Sequence, residues 1–154
     1  MLSSDKVHLR QRSGLVRERH LRSLNWLLLV MILVHDLDHV RQGRALKSEL
    51  YGVGAIALVT AIISLVLAAR QHWLAPAAVV VVGFGNVVGV ALVHVVPHWG
   101  PLSDPYAASH VDWFSWAVIV TMMLVGLMLG IAGIRAFRES SHKKAHSIYE
   151  PLSL

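Results

Sequence analysis

The segment "HDLDH" at positions 35–39 places two imidazoles and two carboxylates inside an otherwise apolar stretch. His35 and His39 are four residues apart, so a helix directs both rings to the same side. Asp38 shares that face because each helical residue advances by about 100°, whereas Asp36 points further to one side. Imidazoles with neighbouring carboxylates and no thiolate are suitable ligands for Zn, Fe, Mn, Ni or Cu(II). The spacing therefore predicts a metal-binding face on this helix.

A second HxxxH pair occurs in "HVVPH", where His94 and His98 flank Pro97. Proline lacks an N–H group and disfavours helical geometry at the preceding residue, so the helix is expected to end near this point. His94 then stays on the helix and His98 lies on the following loop. The missing N–H also leaves the Val93 carbonyl available as an acceptor. His94 is accordingly the more secure ligand of this pair.

The complete predicted site combines these two pairs with the segment "SHVDW" at 109–113. The predicted metal ligands are His35, His39, His94, His98, His110 and Asp112, with Asp38 as the catalytic base or as a partner of a ligand. Zn or Fe is the expected metal, and haem held by two imidazoles is the alternative cofactor. The paired spacing resembles that of membrane di-iron and zinc enzymes, and the resemblance extends to spacing alone.

Each of these residues also has a purely structural interpretation. The "HDLDH" cluster could fix helix packing, or Asp36 could pair with Arg41 or Arg44. A proton relay is a further functional alternative for this cluster. Asp112 could mark a helix start, where a carboxylate is favoured by the helix dipole. Asp104 lies in the turn-forming sequence "PLSDPY", and Asn86 is flanked by glycines that favour close helix packing.

The elements that would position these side chains are long apolar segments. Hydrophobic residues make up 55% of the 154-residue chain, and continuous runs cover 51–69, 76–96 and 113–134, with a fourth at 24–40. About 20 apolar residues suffice for a helix to cross a bilayer. The sequence therefore predicts an all-α integral membrane protein with a bundle of four transmembrane helices. The expected division is a basic N-terminal segment at 1–23, a transmembrane domain at 24–136 with spans at about 24–42, 50–70, 76–97 and 111–135, and a tail at 137–154.

Charge predicts the orientation of this bundle. Eleven of the fourteen Lys and Arg residues lie before the first span, in the second loop or after the last span. The positive-inside rule then places both termini in the cytoplasm of a multi-pass cell-membrane protein. The net charge of +5 flanks the spans, which favours contact with the lipid bilayer and gives no indication of nucleic-acid binding. The chain has no cysteine, which excludes disulfides and thiolate ligands.

Depth completes the functional prediction. His35 lies about 16 Å from Leu24 at the helical rise, so the polar residues collect in the outer half of the bundle. The first hypothesis is a membrane metalloprotein, in one version a metal-dependent enzyme acting on a lipid-like substrate. The alternatives are a non-enzymatic subunit or carrier that handles haem, protons or metal, and an accessory protein with a structural polar cluster. A homo-oligomer or a membrane-protein partner is also expected, with close contacts available at Gly85, Gly89, Gly126 and Gly130.

Overall fold

The computed structural model describes residues 2–43 and 48–148, with side chains described over 19–43 and 52–139. Four α-helices follow one another along the chain: α1 (Leu2–Arg41), α2 (Ser48–Ala69), α3 (Ala75–Val90) and α4 (Trp113–Ile148). A short π-helical segment, Ala91–Val95, continues α3 without a break. No strand occurs among these residues, most of which are helical.

Each helix contains a segment long and apolar enough to cross a membrane. These segments are Arg19–Arg41, Gly52–Ala69, Ala75–Val95 and Trp113–Glu139. The all-α, four-transmembrane-helix class is therefore confirmed. The third segment stops at Val95, two residues before the predicted end, because the backbone is extended at Val96 ahead of Pro97. The cytoplasmic placement of the termini and the choice of membrane stay predictions.

Two of the helices continue well past their apolar segments. The backbone of α1 is helical from Leu2, and that of α4 continues to Ile148. At about 1.5 Å per residue, these extensions reach well beyond the hydrocarbon thickness of a bilayer. The start of α1 and the end of α4 therefore project at the same end of the bundle, which is opposite to the end that carries His35 and His94.

The helices pack in a square. Helix α1 contacts α2 and α4, and α3 contacts α4 and α2, so α1 and α3 lie across a diagonal. Leu28, Val79, Ile119 and Leu129 are almost completely buried at the centre. The outer surface is also apolar, and α2 exposes Ile56, Val59, Ile62, Ile63 and Val66. An apolar exterior around an apolar core is the pattern of a bundle surrounded by lipid.

Glycines allow the closest helix contact, between α3 and α4. A Cβ atom on Gly83 would lie 2.5 Å from the backbone nitrogen of Gly130 and 2.6 Å from the carbonyl oxygen of Gly126. Gly126 and Gly130 therefore serve packing within the chain, whereas the sequence suggested them for contacts between copies. Gly85 and Gly89 face open space, since a Cβ atom on either would have no neighbouring atom within 4 Å. Contact between copies stays a prediction.

We predict that Gly83→Ala destabilises the protein, because neither neighbouring backbone atom can move without separating the helices. Overpacking of this kind costs about 1–3 kcal/mol. Gly85→Ala is the matched control on the same helix, and it should behave as wild type or slightly better. Thermal unfolding in detergent, followed by tryptophan fluorescence, measures both variants. Equal midpoints for the two would contradict the assigned α3–α4 contact.

Candidate metal centre

Three histidines from the diagonal pair of helices meet in the interior of the bundle. The Nε2 atom of His35 lies 3.3 Å from Nε2 of His39 and 3.2 Å from Nε2 of His94. One nitrogen from each ring fits within a group whose members are no more than 4.8 Å apart. His39 and His94 are buried, and His35 is partly exposed. We call His35, His39 and His94 the histidine cluster.

The nitrogen separations match those around a single metal ion. Zinc binds imidazole at about 2.0–2.1 Å in tetrahedral geometry, which puts neighbouring ligand nitrogens about 3.3 Å apart. Both separations measured from His35 Nε2, 3.3 and 3.2 Å, agree with that value. Two of the three separations in the cluster therefore match those of a metal-ligand set, and the third is no longer than 4.8 Å.

The positions of the protons on the imidazole rings also favour a cation between the three Nε2 atoms. The Nδ1–H group of His94 donates to the backbone carbonyl of Asp104 over 3.2 Å, which leaves the lone pair on Nε2. His35 Nε2 faces two other nitrogens, yet a ring nitrogen with one proton or one lone pair makes only one strong hydrogen bond. A metal ion accepts all three lone pairs at once. The bond from His94 to Asp104 is also the kind of partner that orients metal-bound histidines.

The end of α3 is built to present His94. Within the π-helical segment the Val96 N–H donates to the Ala91 carbonyl over 2.9 Å, a wider turn than that of an α-helix. Beyond it, the Val93 carbonyl accepts the Asp104 N–H at 2.8 Å, and the His94 carbonyl accepts the Tyr106 N–H at 2.9 Å. The acceptor that Pro97 was predicted to release thus holds the following loop against the site.

That loop also supplies an aromatic wall that the sequence did not reveal. Tyr106 is 1% exposed, and its ring centroid lies 4.4 Å from that of His94 and 6.3 Å from that of His39. Trp116 of α4 packs on the other side of Tyr106 at 5.8 Å. Tyr106 follows the turn sequence "PLSDP", whose return to the helix end was the one available signal for its position.

Asp38 belongs to a second polar group. Its Oδ1 accepts a hydrogen bond from Arg41 Nε at 2.7 Å, and its Oδ2 accepts one from Gln42 Nε2 at 2.6 Å. Both carboxylate oxygens are therefore engaged by cationic or amide donors beside the histidine cluster. Asp38, predicted as a catalytic base, is a buried partner of Arg41 and Gln42 in the structure, and its catalytic role stays a prediction.

Asp112 also differs from its predicted role as a ligand. It accepts hydrogen bonds from the Ser115 backbone N–H and hydroxyl, both at 3.1 Å, which is the geometry of an N-cap for α4. The Ser115 N–H, assisted by Arg41, holds the pKa of the Asp112 carboxyl below its usual value. These contacts support the interpretation of Asp112 as the residue that caps the start of α4.

Arg41 pairs with both Asp38 of α1 and Asp112 at the start of α4. Its Nη2 lies 2.8 Å from Asp112 Oδ2, and its guanidinium stacks 5.1 Å above the Phe114 ring. Gln42 completes the link through a 2.7 Å bond to Ser115 Oγ. We call Asp38, Arg41, Gln42, Asp112 and Ser115 the α1–α4 clasp.

The remaining predicted ligands lie outside the histidine cluster. His98 is exposed on the loop, where its Nδ1 lies 3.0 Å from Ser103 Oγ and accepts the Gly100 N–H at 3.2 Å. His110 is exposed too, at a positive φ of 49°. Proline at 97 ends the helix before His98 can turn inward, and α4 begins only after His110. Of the six predicted ligands, the structure brings His35, His39 and His94 together, and a ligand role for the other three stays a prediction.

Three further residues also have their positions settled. Asp104 contributes its backbone N–H and carbonyl to the site, in keeping with a turn. The Oδ1 atom of Asn86 lies 3.1 Å from where a Cβ on Gly126 would stand, so this residue lies in the α3–α4 packing. Arg41 pairs with Asp38 instead of Asp36, and Arg44 lies outside the described residues.

A haem does not fit between these histidines. Two imidazoles that ligate a haem stand on opposite faces of a flat macrocycle. Here the centroids of the three rings are only 4.6, 4.9 and 5.5 Å apart, and the Nε2 atoms face one another directly. The spacing suits one ion, and a haem at this position would require the rings to move apart.

Comparison of the chain with protein-family models, curated proteins and solved structures found no match. The function is therefore inferred from the geometry of the site. That geometry defines an all-α membrane protein with an interior group of three histidines that could hold a metal ion.

We predict that Arg41→Gln lowers the thermal midpoint, because it leaves the buried Asp38 carboxylate without its counter-charge. Adding Asp38→Asn to that variant should restore much of the loss, since the uncompensated charge is then gone. Unfolding of the two single variants and the double variant in detergent gives a double-mutant cycle. If the loss in the double variant equalled the sum of the losses in the two single variants, the proposed interaction between Arg41 and Asp38 would be contradicted.

Proposed function

We propose that this protein is a membrane metalloprotein that binds one divalent transition-metal ion through Nε2 of His35, His39 and His94. The observation that carries the proposal is the meeting of three imidazole nitrogens in the bundle interior, with His35 Nε2 3.3 and 3.2 Å from the other two. Neutral imidazoles without thiolate suit Zn²⁺ and Fe²⁺, which are the two ions we propose.

The proposed location is the outer half of a cell-membrane protein. The histidine cluster lies at the end of the bundle that carries the 97–112 loop, away from the projecting ends of α1 and α4. If those basic ends are cytoplasmic, as the charge distribution predicts, the metal is held near the extracytoplasmic surface.

Catalysis is the first use we propose for such a metal. Three histidines leave a fourth coordination position for water or a substrate oxygen, which is the arrangement of catalytic zinc sites. Zinc bound in this way supplies hydroxide near neutral pH and polarises a bound carbonyl or phosphoryl group. His35 is the partly exposed member of the cluster, and a lipid-like substrate is the class that such an interior, bilayer-embedded position favours. Asp38 is paired with Arg41 at 2.7 Å, and its role as a catalytic base stays a prediction.

A structural metal is the second use, and one observation favours it specifically. Helices α1 and α3 lie across the diagonal of the bundle, and the histidine cluster is where their side chains meet. A metal would then stabilise the fold by linking two helices that otherwise pack little against each other. A conduit for metal or protons is disfavoured, because Leu28, Ile32, Met122, Val125 and Leu129 belong to one buried apolar core of the bundle.

The proposal predicts about one bound metal ion per chain in full-length protein purified in detergent after growth in metal-replete medium. His35→Ala, His39→Ala and His94→Ala should each reduce the metal content to background, because two imidazoles bind far more weakly than three. His72→Ala is the matched control, since His72 is exposed on the loop between α2 and α3. Elemental analysis by mass spectrometry gives the stoichiometry.

A chelator separates the metal site from a merely structural polar cluster. Metal removal should lower the thermal midpoint of wild type and leave that of His94→Ala unchanged. Wild-type protein without metal would overturn the proposal, as would alanine variants that lose stability while chelation has no effect on wild type.

A further inference from the structure

A cleft runs between α1 and α4 at the end of the bundle opposite to the histidine cluster. Leu21 of α1 and Met128, Ile131 and Ala132 of α4 form its apolar wall. His20 and Arg135 stand on its rim, together with the acidic residue Glu139. The cleft lies where both helices pass from their apolar segments into their projecting ends.

The wall and rim are separated along the membrane normal. Met128 and Arg135 are seven residues apart on one continuous helix, which corresponds to about 10 Å. The apolar side chains are therefore expected at the depth of acyl chains, and the Arg135 guanidinium, near the end of the candidate span, at the depth of the headgroups. This gradient is the one that a phospholipid itself carries.

The basic residues near the cleft indicate an anionic lipid. Arg19 and Arg22 flank His20 and Leu21 in the sequence, and together with Arg135 they outnumber the single acid of the rim. A guanidinium pairs with phosphate through two parallel hydrogen bonds, and basic residues next to a span attract anionic lipid.

We propose that this cleft binds an anionic phospholipid, with its phosphate at Arg135 and His20 and one acyl chain along Leu21, Met128 and Ile131. The site is independent of the metal centre, since the cleft and the histidine cluster lie at opposite ends of the bundle. The lipid would fix the depth at which α1 and α4 leave the bilayer.

The test uses full-length protein in a neutral maltoside detergent, with thermal unfolding followed by tryptophan fluorescence. Phosphatidylglycerol should raise the midpoint by at least a few degrees, whereas phosphatidylcholine should raise it much less. Arg135→Gln should remove at least half of the shift caused by phosphatidylglycerol. Arg138→Gln, an exposed arginine of the same helix outside the cleft, should keep the shift.

Two additional arms identify the ligand. Soluble glycerol phosphate should leave the midpoint unchanged, because it lacks the acyl chain that the wall contacts. Ala132→Trp should abolish the phosphatidylglycerol shift by filling the wall while retaining every charge. Equal shifts with both lipids, equal losses in the two arginine variants, or a full shift with glycerol phosphate would each overturn the proposal.

Discussion

The meeting of imidazole nitrogens inside an apolar bundle is the interaction on which the arrangement of α1, α3 and the 97–112 loop depends. Polar groups away from water are costly unless they are bonded, and lipid offers no alternative partner. His35 Nε2 faces nitrogens of His39 and His94 at 3.3 and 3.2 Å, a contact that protons satisfy only in part. A cation satisfies all three, and for this reason the cluster is both the most demanding feature of the fold and its proposed functional site.

The surrounding structure holds the cluster from two sides. At the end of α3, the missing N–H of Pro97 and the π-helical turn leave carbonyls that bind Asp104 and Tyr106, and Asp104 in return accepts the His94 Nδ1–H. At the end of α1, Arg41 links Asp38 to the N-cap of α4. The carboxylates of Asp38 and Asp112 thus hold the end of α1 against the start of α4. The backbone carbonyl of Asp104 orients the His94 ring.

Periodicity and apolar length were enough to predict the four helices and the shared face of His35 and His39, because both are local properties of a helix. The same reasoning assigned His94 to the site, and it placed His98 on the following loop because Pro97 ends the helix. It could not separate ligands from caps, since Asp112 as an N-cap depends on where α4 begins. It also missed Tyr106, whose place beside His94 depends on how the loop returns. The spacing of residues along the chain does not predict contacts between segments that are distant in sequence.

X-ray absorption at the metal edge of zinc-loaded, full-length protein would decide whether the three histidines hold one ion. We expect a coordination sphere that contains three imidazole nitrogens at about 2.0–2.1 Å, recognised by the multiple scattering of the rings, with one further light atom. His94→Ala should reduce the imidazole count, and His72→Ala should leave it unchanged. A sphere made of oxygen alone, or an imidazole count unaffected by His94→Ala, would contradict metal binding by the histidine cluster.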